Sequence, residues 1–177
     1  ARKAVRAALA GLPEQRRRRL VEEARLATQD LELRRSVLLV VGALGTSDAA
    51  DAVIDALADD RVAQEAEQAL EMLGPAAILA LSRRARTGPS HERAVYVEQL
   101  GHLADESSRA IASQAILDAT EDGAPDVVRS ALGALSFIGD EGTFGLAARF
   151  LISESSSAIR QAAAAALSAM TARHPEV

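Results

Sequence analysis

Cysteine and tryptophan are both absent from this 177-residue chain, and its aromatic side chains amount to one tyrosine and three phenylalanines. Without cysteine there is no disulfide framework, no thiolate nucleophile and no Cys-based zinc site. Such a chain fits a reducing, cytoplasmic setting. Few residues alternate in the Val, Ile, Thr and Tyr pattern of a half-buried strand, so no segment is read as a sheet. No run of 18 apolar residues exists, the longest being the eight of 37–44, so no membrane span is expected. Lysine is nearly absent as well: Lys3 stands against nineteen arginines, which together with the alanine content points to a GC-rich bacterial genome. The chain opens with Ala1-Arg2-Lys3 in what reads as mid-helix, so a fragment of a longer protein is expected.

What is present is alanine, 39 residues of it, within a chain that is 49% apolar. Alanine is the strongest helix former and lets helix backbones approach closely. Its placement is periodic. With Pro13, Gly45, Gly74, Ala104, Gly139 and Thr171 as markers, one residue earlier stands Leu12, Leu44, Leu73, Leu103, Ile138 or Met170. Four residues earlier stands Leu9, Val41, Leu70, Leu100, Leu135 or Leu167. Ala8, Val40, Ala69, Gln99, Ala134 and Ala166 lie five before, and Val5, Val37, Ala66, Tyr96, Ala131 and Ala163 eight before. These offsets trace one stripe of a 3.6-period helix. The stripe returns every 29 to 35 residues, the mark of stacked helical repeats.

Each repeat reads as an A helix ending at its marker, a tight turn and a B helix. The expected repeats are 1–30, 31–60, 61–88, 89–123 and 124–155, followed by a terminal helix over 158–172, all within one domain. Pro13 suits the first turn of the first B helix, and Gly45-Thr46-Ser47-Asp48 supplies a stop followed by capping residues. Expected B-helix burial falls on Ala52, Val53, Ala56 and Leu57, then Ile78, Leu79 and Leu81. It continues with Ile111, Ala115 and Ile116, and ends with Phe144, Ala147 and Leu151.

A basic residue recurs ten or eleven positions before most markers: Arg2 and Lys3, Arg34 and Arg35, Arg93, Arg129 and Arg160. The segment Pro125-Asp126-Val127-Val128-Arg129-Ser130-Ala131-Leu132 resembles the A helix of HEAT repeats, and 33–37 and 158–163 resemble it more loosely. The similarity covers almost the whole chain and is greatest to short bacterial HEAT-like repeats of the phycobilisome-lyase type. It implies an all-α fold, an α-α superhelix forming a right-handed solenoid of antiparallel helix pairs. It also implies an Asp–Arg ladder between neighbouring repeats, with Asp126 and Arg129 as its best-fitting members. A tetrapyrrole-handling role does not carry over, since no residue for it can be matched.

Catalytic chemistry finds little to stand on. His91, His102 and His174 include no pair three or four residues apart, so no helix face offers a metal-binding pair. Deoxyhypusine hydroxylase, a HEAT-like enzyme, uses several His-Glu dyads around two irons, whereas this chain has only His91-Glu92. No nucleophile elbow and no phosphate loop occurs. The expectation is no enzyme, no cofactor and no bound metal.

Charge is unevenly spread within the overall −5: residues 1–35 carry ten basic and five acidic groups, while 46–82 hold eight acidic residues and only Arg61. Arg18 and Arg19 project outward from the Arg16–Arg19 run, with Glu22 and Glu23 four residues further on. Leu20, Ala24 and Ala27 mark that helix's buried side, and Arg16 and Arg17 its margin. Asp48, Asp51 and Asp55 share a face of the second repeat's B helix, and Arg83, Arg84 and Arg86 end the third. Since HEAT-like stacks generally turn their B helices to the concave side, these eight residues are the candidate partner-binding set. The expected function is a non-catalytic scaffold binding a protein or peptide of mixed charge, or a phosphorylated one. Two alternatives come from other classes: a HEAT-like nucleic-acid binder of the DNA-glycosylase kind, or a regulatory repeat module of a larger enzyme. An acidic chain without tryptophan is poorly suited to the first of these. The alanine-rich last helix could pair end to end with a second copy; otherwise a monomer is expected.

Overall fold

The computed structural model describes residues 7–9, 11–26 and 30–173. Among them every regular element is a helix. After helical residues 7–9 come ten helices: α1 (Glu14–Arg25), α2 (Leu31–Gly42), α3 (Ser47–Ala56), α4 (Ala63–Leu73), α5 (Pro75–Arg84), α6 (Ser90–Leu103), α7 (Arg109–Ala119), α8 (Pro125–Ile138), α9 (Glu141–Ser153) and α10 (Ser157–Arg173). The protein is therefore all-α over its described residues. The chain divides into two compact units, Ala1–Ala80 and Leu81–Val177. No described helix is long and apolar enough to cross a membrane.

Helix ends follow the expected chemistry. Gly74, Ala104 and Gly139 each stand one residue beyond α4, α6 and α8, and the N–H of each bonds a carbonyl four residues back. The second marker, Gly45, lies three residues past α2, with φ 70° in the left-handed region that favours glycine. Thr46 then caps α3 by accepting from the Ala49 N–H. Asp30 does the same for Leu33 at the start of α2. At α9, Asp140 and Thr143 form a reciprocal capping box. The helix expected over 158–172 runs Ser157–Arg173, past its marker Thr171. Ala1, Arg2, Lys3, Val5, Ala27 and His174, which also entered the sequence reading, lie outside the described residues.

In the N-terminal unit α2 packs on α4 while α1 packs on α3, so helices two apart in sequence are neighbours. In the C-terminal unit α8 lies between α6 and α10 by contact, with α7 against α8 and α9 against α10. The stripe is the core of both units. Val41, Leu70, Leu100 and Leu135, at four residues before the marker, are all buried. So are Ala66, Tyr96, Ala131 and Ala163 at eight before.

The A helices meet at a repeated seam. A Cβ placed on Gly42 of α2 would come within 2.7 Å of the Ala69 Cα and carbonyl oxygen of α4. One placed on Gly101 of α6 would come within 2.7 Å of Ala134 Cβ on α8. Both glycines stand three residues before a marker and both alanines five before the next. The same two positions thus make backbone-to-backbone contact in each unit, where only a hydrogen fits between the helices. At α8 and α10 the contact differs: Met170 lies where a side chain on Gly139 would be.

Three expected B-helix residues are exposed, Leu79 at 58%, Ile111 at 43% and Leu151 at 38%, and Leu57 and Phe144 are only half-buried. The inward positions beside them are taken by Ala77, Ala80, Ala112 and Ala147. In a core this rich in alanine, side-chain size does not mark the inward face.

Candidate functional site

The recurring basic residue does form Arg–Asp bonds, but within the expected repeats 31–60 and 89–123 rather than between neighbours, and not through the pair the sequence favoured. Arg34, eleven residues before its marker, is buried and bonds Asp59 in the loop ahead of α4. Arg93, at the same offset, reaches Asp122 in the loop ahead of α8 through Nη2 at 2.8 Å and Nε at 3.2 Å. Asp59 is also gripped by Arg61, whose Nε and Nη2 lie 2.9 and 2.8 Å from its two oxygens. The bond from Arg61, with that from Arg34 behind it, holds the Asp59 carboxyl far below the ordinary carboxylate range. At Asp122 burial pushes upward most strongly, but the Arg93 bonds, the Ala124 N–H and the Arg93 charge together leave it lowered. Asp126 and Arg129 form no such bond. In that repeat the position eleven before the marker is the buried Val128, which moves the arginine to the next position and another face of the helix. Arg160 regains the offset and donates to the carbonyls of Glu154 and Ser155.

The eight candidate residues fall in both units. Arg18 and Arg19 are strongly exposed on α1; Arg18 pairs with Glu14 rather than Glu22, and Arg19 with Glu23 at 3.7 Å. Arg17 is the residue at the helix margin, with its Nε buried and without a hydrogen-bond partner, while Arg16 is exposed. Arg18 and Asp48 line one cleft of about 540 Å³ between α1 and the start of α3, together with Arg17, Arg25 and Glu22. It is a mixed-charge site within the N-terminal unit. Asp51 and Asp55 follow on α3, half-buried and exposed, and each has an interaction partner, as do Arg83 and Arg84. Arg86 is committed within its own unit: Nη2 and Nε reach Asp118 Oδ2 at 2.7 and 3.2 Å. That pair, with Gln114, lowers the Asp118 carboxyl.

A second cleft, of about 780 Å³, went unread in the sequence. It opens in the C-terminal unit over α8, between Glu98 and His102 of α6 and Ala158, Gln161 and Ala162 of α10. Arg129 and Phe137 lie along it, and Phe137 is half exposed. The His102 ring sits 4.1 Å from that of Phe137, tilted by 47°, so its place in the last turn of α6 includes a ring partner. The available signal was the arginine displaced by one position, with an aromatic eight residues after it.

No group of three or more His, Cys, Asp or Glu side chains able to hold a metal ion occurs among the described residues. His91 and Glu92 stand side by side at the start of α6, with His91 exposed. No protein-family model matches the chain, and no curated protein sequence matches it.

Proposed function

We propose that this protein is a non-catalytic interaction scaffold, a HEAT-like α-α superhelix wound as a right-handed solenoid of antiparallel helix pairs. It binds a partner protein on its B-helix surface. The observation that carries the reading is the recurrence, in both units, of one Gly–Ala seam at matching repeat positions and of one Arg–Asp pair whose arginine keeps its repeat position. Repeated contacts of this kind build an extended surface, and such surfaces bind other macromolecules along their length. The mixed charge around Arg18 and Asp48, beside Arg19, Asp51 and Asp55, suits a peptide carrying both signs. Arg83 and Arg84 are the candidate members in the C-terminal unit, where Arg86 is held by its pair with Asp118.

The test is affinity capture from bacterial lysate, with and without nuclease, using the wild type and an Arg18→Glu, Arg19→Glu, Asp48→Lys variant. One protein retained after nuclease by the wild type and lost by the variant is the expected result. Identical captures by both would remove these residues from the site. Recovery only with intact nucleic acid would turn the reading to a nucleic-acid binder. Small-angle X-ray scattering checks the architecture separately, since a solenoid requires an elongated particle.

A further inference from the structure

The cleft over α8 lies on the A helices, opposite in kind to the B-helix surface argued above, and it stands or falls apart from that reading. Its floor is a single line of α8: Arg129, Gly133 and Phe137, each four residues after the last. Successive members are turned by about 40°, so all three face one side, and the line is about 12 Å long. Arg129 is exposed and, like the exposed Arg16 and Arg25 of α1, makes no hydrogen bond or ion pair among the described residues, whereas Arg34, Arg35, Arg61, Arg86 and Arg93 are paired. Gly133 has nothing within 4 Å of where its Cβ would be, so the middle of the line is a hollow rather than a helix contact. Phe137 leaves half of its surface exposed, braced by the His102 ring.

The walls narrow the choice of occupant. On the α10 side Ala158 and Ala162 are low, and Gln161 offers both a donor and an acceptor without a partner of its own. On the α6 side Glu98 places a carboxylate facing the same space. One cation with one anion nearby leaves no net positive charge to attract a polyanion such as a nucleic-acid backbone. It accepts a ligand with a single carboxylate and an apolar group set apart from it.

We propose that this groove binds a peptide segment of a partner protein, with an Asp or Glu carboxylate on the Arg129 guanidinium and an apolar side chain on Phe137. The segment's backbone crosses the hollow at Gly133, where Gln161 meets its amide groups. A basic residue of the segment, placed between the two anchors, faces Glu98. The guanidinium fork matches a carboxylate, and an exposed aromatic beside a hollow is the usual anchor of such contacts.

The test is a selection of phage-displayed random peptides on the full chain. The best enriched peptide is then synthesised with a fluorophore and titrated by fluorescence polarisation against four variants. Phe137→Ala and Arg129→Glu are each expected to weaken binding by about tenfold or more. Gly133→Leu adds a side chain to open space and helix propensity to α8, and it should block binding with the fold intact. Replacing the peptide's acidic residue by Lys should restore affinity for Arg129→Glu. Failure to enrich any peptide, or enriched peptides without an acidic and an apolar residue, would overturn the proposal. So would equal affinity for wild type and Gly133→Leu. A peptide lost by the fourth variant, Arg18→Glu with Arg19→Glu, and kept by the other three would overturn this groove and support the B-helix surface.

Discussion

The two units solve the same problem twice with different neighbours, and the differences are instructive. Each joins successive A helices by a glycine laid on an alanine and by an arginine reaching into the loop just ahead of the following A helix. In the N-terminal unit the glycine faces the backbone of Ala69, with Cα and carbonyl oxygen both at 2.7 Å from a would-be Cβ. In the C-terminal unit Gly101 meets the Cβ of Ala134 first, and that carbonyl oxygen lies further off at 3.1 Å. Asp59 serves two arginines, whereas among the described residues Asp122 has only Arg93 as a side-chain donor. Repeat position therefore decides which residues touch. The local loop decides how replaceable each contact is.

The seam gives the largest expected effects. Gly42→Ala forces a methyl against backbone that cannot swing aside, and it should cost about 3 kcal/mol of unfolding free energy, read by urea denaturation. Gly101→Ala should cost about 2 kcal/mol, because the carbonyl oxygen there stands off at 3.1 Å rather than 2.7 Å. Adding Ala134→Gly to Gly101→Ala should recover a measurable share of the loss. Adding Ala69→Gly to Gly42→Ala should recover less. Equal rescue in both units would erase the distinction drawn between them.

The Arg–Asp pairs come next. Arg93→Met keeps the buried stem but leaves Asp122 with only the Ala124 N–H, and should cost about 2 kcal/mol. Arg34→Met leaves Asp59 held by Arg61 and also removes a buried Nε that has no partner. It should cost clearly less than Arg93→Met in the same denaturation experiment. The reverse order would mean that burial of Arg34, rather than the number of partners, sets the value of the pair.

The repeat positions of both contacts are legible in the sequence; the identity of the contacts is only partly so. The stripe locates the ends of α4, α6 and α8 because Leu73, Leu103 and Ile138 must each turn inward just before a stop. The basic recurrence marks Arg34 and Arg93 correctly. Their acceptors are in loops, 25 and 29 residues later, where no periodicity guides the eye. Asp126 and Arg129 look right by motif and fail by one position, since Val128 takes the ladder's place and goes into the core. That same displacement frees Arg129 for the groove, so the misread residue is part of the site that was missed. Leu79, Ile111 and Leu151 mislead for a different reason: with alanine lining the interior, the larger residue can be the outward one.

Acid should separate the units by a smaller margin. Asp59 is the only carboxyl clearly lowered among the described residues of the N-terminal unit; Asp105, Asp118, Asp122 and Glu154 are lowered in the other. A carboxyl whose folded value lies below its unfolded value, about 4, contributes fully above that pH. The contribution drains away as the pH falls through the folded value. Between pH 5 and 3, hydrogen exchange corrected for its intrinsic pH dependence should show protection falling faster in α6–α8 than in α2–α4. Parallel loss would mean that the extra lowered carboxyls of the C-terminal unit are exposed pairs of little worth.

The smallest effect reverses the sign of the largest. Gly133 lies in the middle of α8, flanked by the seam residue Ala134, yet a Cβ there meets nothing within 4 Å. Helix propensity alone then decides the outcome, and Gly133→Ala should stabilise the protein by about 0.5–1 kcal/mol. The Ser136 hydroxyl, which donates to the Gly133 carbonyl at 2.6 Å, can keep its bond because the carbonyl does not move. Calorimetry on Gly133→Ala beside Gly101→Ala makes the comparison within one unit. Opposite shifts in melting temperature from the same added methyl would show that Gly101 is kept for closeness. Gly133 would then be costing stability where the groove needs its floor open.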